Sequence, residues 1–68
     1  MIALVVDRKK RIIRELEKIH PRDLSIGEVA KKTRMSRTTA STYLKVLEAE
    51  GKIMISRKVG RAKFYKKK

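Results

Sequence analysis

The sequence predicts an α+β domain in which three helices are followed by a two-stranded β-hairpin. Hydrophobic residues recur at helical period up to Gly51 and alternate with polar ones beyond it. Two helix-start signatures divide the first part: Ser25 with Glu28 three positions on, and Ser36 ahead of a long periodic run. Gly60 stands in a four-residue connection between two alternating runs, which is a hairpin signal.

The first helix is expected from about Arg8 to Ile19, with Asp7 as its N-cap and Ile12, Ile13, Leu16 and Ile19 on the buried face. Arg11 and Glu15 lie outside as a favourable i,i+4 pair. Ahead of it, Ile2-Ala-Leu-Val-Val6 is apolar and mostly β-branched. Periodicity leaves two readings open for this run: a strand at a sheet edge or dimer contact, or the first turn of a longer helix that puts Ile2 and Val5 on the same seam. Pro21 pushes the residue before it out of the α region and ends the helix. His20, at that boundary, is the single histidine; without partner groups it is an exposed helix-end residue rather than a catalytic one.

After a loop through Asp23, the S-x-x-E box of Ser25 and Glu28 starts a short second helix with Ile26, Val29, Ala30 and Thr33 inside. Arg34-Met35 is a tight connection, with Met35 plugging the gap between helices. Ser36 caps the third helix, and Gly51 ends it in a left-handed conformation. Between them Ala40, Leu44 and Leu47 form a buried stripe, with Tyr43 at its edge. The opposite face holds Thr38, Ser41, Thr42 and Lys45, and no acid occurs from Val29 to Leu47. A solvated face would carry mixed Glu and Lys, which are better helix formers. Short hydroxyls with one long cation suit close approach to a groove of phosphates and base edges. In the hairpin, Lys52–Arg57 and Ala62–Lys66 are the strands, joined by Lys58-Val59-Gly60-Arg61. Ile53, Ile55 and Phe64 are expected in the core, Tyr65 over the sheet edge, and 66–68 as a disordered basic tail.

Sixty-eight residues fit one domain with a small core, and the absence of cysteine removes disulfides, a Cys-based zinc site and a thiol nucleophile. No metal and no cofactor are expected. The formal charge of +13 is uneven: residues 1–28 hold seven Lys/Arg against five Asp/Glu, residues 29–68 thirteen against two. Such one-sidedness points to a polyanionic partner. No run reaches the ~18 apolar residues of a membrane span, and Ile2–Val6 precedes its basic cluster, the reverse of a secretory signal. A cytoplasmic protein is expected. The lack of Asn and Gln beside abundant Lys, Arg, Glu and Ile fits a hyperthermophile.

Over roughly Asp23 to Tyr65 the chain resembles the winged helix-turn-helix domains of small transcription regulators, of the MarR, ArsR and Lrp types. The resemblance rests on S25-I-G-E-V-A-K-K-T, on M35-S-R-T-T-A-S-T-Y-L-K-V-L-E-A-E-G-K-I and on R57-K-V-G-R-A-K-F-Y. It implies a recognition helix over about 37–50 and a wing over about 52–66. Ser36 and Arg37 would meet duplex DNA where the helix enters the major groove, with Thr38, Ser41 and Thr42 nearest the base edges and Lys45 at the backbone. The cations Arg57, Lys58, Arg61 and Lys63 would lie along the backbone or in the minor groove. The turn of this motif often carries Gly where this chain has Arg34; a left-handed conformation there strains a non-Gly residue by ~1 kcal/mol, and its charge offers a phosphate contact in return.

The resulting expectation is a sequence-specific duplex-DNA-binding transcription regulator, acting as a homodimer, with no small-molecule ligand and no catalytic arrangement. Hydroxyls without an adjacent base make no nucleophile, and Gly27, Gly51 and Gly60 follow no phosphate-loop spacing. Two alternatives stand beside it: a non-specific architectural or ribosome-associated protein using the fold for its charge, and a module contacting another protein through Ile2–Val6.

Overall fold

The computed structural model describes residues 2–68, with side chains from Asp7 onward. The elements run α1 (Ile2–Ile19), β1 (Leu24–Ser25), α2 (Ile26–Thr33), α3 (Arg37–Ala49), β2 (Ile53–Val59) and β3 (Ala62–Lys67). This is the expected α+β winged-helix architecture with one strand more. The two-residue β1 joins the hairpin to make an antiparallel sheet of order β1-β3-β2.

Helix α1 settles the reading of the first residues in favour of one long helix. Its 18 residues begin at Ile2, so Asp7 lies inside it and is not its N-cap. β-branched residues lower helix propensity only slightly, and once a helix exists each added residue gains a hydrogen bond without a new nucleus. The seam expected through Ile2 and Val5 lies outside the described side chains. Further along, Ile12 and Leu16 are fully buried, with Ile13 and Ile19 packed against them at the margin. Glu15 pairs with Lys18 at 3.1 Å, one turn on, in place of Arg11.

Helix α2 begins with the full capping box. Ser25 Oγ accepts the Glu28 amide at 3.2 Å, and Glu28 Oε1 accepts the Ser25 amide at 3.0 Å. Thr33, buried at the other end, donates its hydroxyl to the Val29 carbonyl at 2.6 Å. Arg34 then turns left-handed at φ 57°, ψ 41°. The Met35 amide reaches back to the Ala30 carbonyl at 2.9 Å and the Arg34 amide to that of Lys31 at 3.4 Å, a Schellman closure. Helix α3 closes the same way: the Lys52 amide bonds the Leu47 carbonyl and the Gly51 amide that of Glu48, both at 3.0 Å. There the left-handed residue is Gly51 at φ 77°, free of the Cβ penalty that Arg34 bears.

The hairpin differs from expectation in three ways. Its turn is shorter: Val59 pairs with Ala62, leaving Gly60 and Arg61 as a two-residue connection, so Lys58 and Val59 belong to β2. Gly60, at φ 60°, supplies the positive φ such a turn needs at its first position. The aromatic residues also exchange roles. Tyr65 is in the core, and Phe64 lies on the other face of the sheet. The cause is β1, which makes β3 the central strand, so that Tyr65 sits between Leu24 and Ile55. An irregularity at Ser56 sets Arg57 opposite Phe64. Finally, Lys66 and Lys67 continue β3 instead of forming a disordered tail: Lys67 pairs with Ile53 in register and with Glu17 through its ammonium at 3.1 Å.

The core is one cluster in which Ile12 and Leu16 of α1 meet Val29, Ala40, Leu44 and Leu47 of the next two helices and Ile53 and Tyr65 of the sheet. Lys9 ties α1 to the end of α3 through Glu50 at 2.6 Å. Five of the seven acids are thereby engaged inside the fold: Glu15, Glu17, Asp23 and Glu50 in ion pairs and Glu28 in its cap. Among the described residues, no ion pair engages the cations of α3 or those at the hairpin tip, which leaves their charge available to an anion.

Candidate nucleic-acid interface

Helix α3 owes its orientation to the Ala40–Leu44–Leu47 stripe, which is fully buried and turns the opposite face outward. Arg37, Thr38, Ser41, Thr42 and Lys45 line one open depression of about 360 Å³, together with Ile26 of α2. Five residues singled out from the sequence are thus brought together. Ser36 is engaged differently. Its Oγ accepts the Thr39 amide at 3.1 Å and donates to Thr39 Oγ1 at 2.8 Å, so the hydroxyl holds the helix start. Thr42 donates to the Thr38 carbonyl at 3.0 Å and keeps its acceptor lone pairs.

A second depression, of about 270 Å³, adjoins the first through Arg37 and Ile26. It is lined by Ser25 and Gly27 at the start of α2 and by Arg61, Ala62 and Lys63 of the hairpin. Arg37 therefore faces both the hydroxyl surface and the hairpin tip. Lys58 pairs with Lys63 in register, so the two ammonium groups leave the same face of the sheet. Like charges directly opposite each other destabilise a hairpin unless an anion lies between them. Arg57 departs from this set. It lies on the outer face, its guanidinium 4.2 Å from the Phe64 ring centroid and its Nε donating to Asp23 Oδ2 at 3.0 Å.

The model of the winged helix-turn-helix DNA-binding family matches residues 7–54. The chain belongs to that family. No curated protein and no solved structure matches it. The matched residues take in α2, the Arg34 turn and α3, the helix-turn-helix proper, and reach the first residues of β2. The remainder of the wing is identified by its hairpin geometry.

The wing is tethered to the body of the winged helix-turn-helix domain at Asp23, just ahead of β1. A hydrogen bond from Ser56 holds the Asp23 carboxyl below the usual carboxylate range; partial desolvation opposes it, and Arg57 adds to it. A carboxylate depressed in the folded state contributes its stabilisation above its unfolded pKa and loses it as pH falls through the folded value. Amides around Ser56 and Arg57 should therefore lose hydrogen-exchange protection only below the usual carboxylate range, and Asp23→Ala should produce the same change at neutral pH. Matching amide spectra for Asp23→Ala and the parent protein would show that this carboxylate does not hold the wing.

Sequence reasoning missed Ile26 and Gly27 as lining residues. The signal was present: the capping box at Ser25 announces a helix start whose first amides point away from the helix, and such amides favour anions. What the sequence lacked was the register of β3, which carries Arg61 and Lys63 to that helix start.

Proposed function

We propose that the protein is a sequence-specific transcription regulator that binds duplex DNA as a homodimer in the cytoplasm. The observation that carries this reading is the continuous acid-free surface from Lys45 through Thr42, Ser41, Thr38 and Arg37 to Arg61 and Lys63. An α-helix with its side chains is about 10–12 Å across and the major groove about 12 Å wide, so α3 fits with short side chains against the base edges. Arg37 is the residue for bidentate guanine readout, Thr38, Ser41 and Thr42 meet the bases, and Lys45 meets the phosphates. Ser36 fixes the depth of α3 through its cap. Arg61, Lys63 and Lys58 lie on the backbone or in the minor groove. Arg57 serves from the outer face, setting the angle of the wing and offering its remaining N–H groups to phosphate.

A second reading, non-specific architectural binding, is favoured by the charge of +13 and by the Lys58–Lys63 juxtaposition. Selection from a random duplex pool at ~0.15 M salt separates the two, because phosphate-only binding is weakened there. A recovered palindrome with half-sites about one helical turn apart is the expected result. A pool that binds and stays random would assign the surface to backbone contact alone.

A further inference from the structure

A second basic cleft lies between α1 and the C-terminal end of α2. Arg11, Arg14 and Lys18 of α1 face Lys32 and Arg34 across a depression of about 290 Å³, and all five side chains are exposed. The one carboxylate among them, Glu15, is already hydrogen-bonded to Lys18. The cleft shares no lining residue with the α3–wing surface. The two are separated by α2, whose eight residues span about 12 Å: its first residues line one surface and its last residues the other.

The fold gains little from this cluster. Arg11 with Arg14 and Arg14 with Lys18 are like-charge pairs at i,i+3 and i,i+4, which offset the favourable i,i+4 spacing of Arg11 from Asp7 and Glu15. Lys32 and Arg34 lie near a helix C-terminus, where cations are favoured, but Arg11 and Arg14 are in mid-helix, where the dipole offers nothing. Arg34 also bears a left-handed backbone that glycine would occupy freely. Such an arrangement is stabilised by an anion. From Arg11 to Lys18 the row extends about 10 Å along the helix axis, too long for one phosphate and matched to successive phosphates along a strand.

We propose that this cleft is a second nucleic-acid contact, which grips phosphodiester backbone beyond the segment held by α3. The proposal rests on the reading of α3 as the DNA-contacting helix. The backbone comes either from the flank of the same duplex, bent toward α1, or from a second duplex bridged to the first.

The test compares the parent protein with Arg11→Ala/Arg14→Ala and with Arg34→Gly, which relieves the strained backbone while removing a cation. Both variants should melt like the parent or higher by circular dichroism. Affinity is measured against salt on a duplex of about 14 base pairs and on one of about 40 carrying the same central site, with capture of a labelled duplex by a bead-bound one measured alongside. The double variant should hold the short duplex within about twofold and lose about two units of salt slope on the long duplex, or lose capture of the second. Loss on the long duplex assigns the cleft to flanking DNA, and loss of capture assigns it to a bridged duplex. Variants equal to the parent in both assays would overturn the second contact while leaving the α3 reading intact. Short-duplex binding that withstands Arg37→Ala but not Arg11→Ala/Arg14→Ala would instead overturn the α3 reading.

Discussion

Arg37→Ala is expected to lower affinity for a selected DNA site by roughly 5- to 150-fold while lowering affinity for random duplex far less. The estimate is the ~1–3 kcal/mol that a bidentate side chain contributes to discrimination at one base pair. Arg37 is exposed, and the stripe that packs α3 lies on the opposite face, so the substitution leaves the core untouched. Arg37 lines both the α3 depression and the wing groove, which is why its loss is expected to outweigh that of the other exposed cations. Fluorescence anisotropy on the selected site and on a scrambled duplex measures the difference. Equal losses on the two would reduce Arg37 to a phosphate contact, and readout would pass to Thr38, Ser41 and Thr42.

Tyr65→Ala is expected to unfold the protein, or to leave it barely folded, at room temperature. Tyr65 is the largest fully buried side chain and occupies the central strand between Leu24 and Ile55. Truncating a buried aromatic residue costs about 3–5 kcal/mol, whereas a domain of this size has roughly 3–10 kcal/mol of stability in all. Phe64→Ala, one residue away on the outer face, should cost only about 1 kcal/mol, mostly its stacking with Arg57. Urea unfolding followed by circular dichroism distinguishes them, and similar midpoints would show that Phe64 shares the core role. Burial also pushes the Tyr65 hydroxyl pKa up. Its stabilising contribution is therefore complete below the unfolded pKa and declines as pH rises through the folded one.

The contrast between these two aromatic residues shows how much of the fold was legible beforehand. Ser25 with Glu28, Ser36, and the Ala40–Leu44–Leu47 stripe act within one or two helical turns, so their spacing along the chain is their spacing in space. The same holds for the hydroxyl face of α3, whose residues are brought together by helical geometry alone. The expected burial of Phe64 failed because strand alternation fixes which residues share a face and leaves open which face meets the core. That choice was made by Leu24 and Ser25, two residues with no strand pattern of their own, when they paired with Tyr65 and Phe64.

By itself, then, the sequence determined the three helices from Arg8 onward, the caps at Ser25 and Ser36, the hairpin and the cationic face of α3, because each follows from interactions between near neighbours in the chain. Tertiary structure alone decided that β3 is central, that Arg57 turns away to Asp23 and Phe64, that Arg61 and Lys63 meet Arg37, and that Arg11 and Arg14 face Arg34 across a cleft. These pairings join residues far apart in sequence, and their geometry exists only once the core has set the angles between elements.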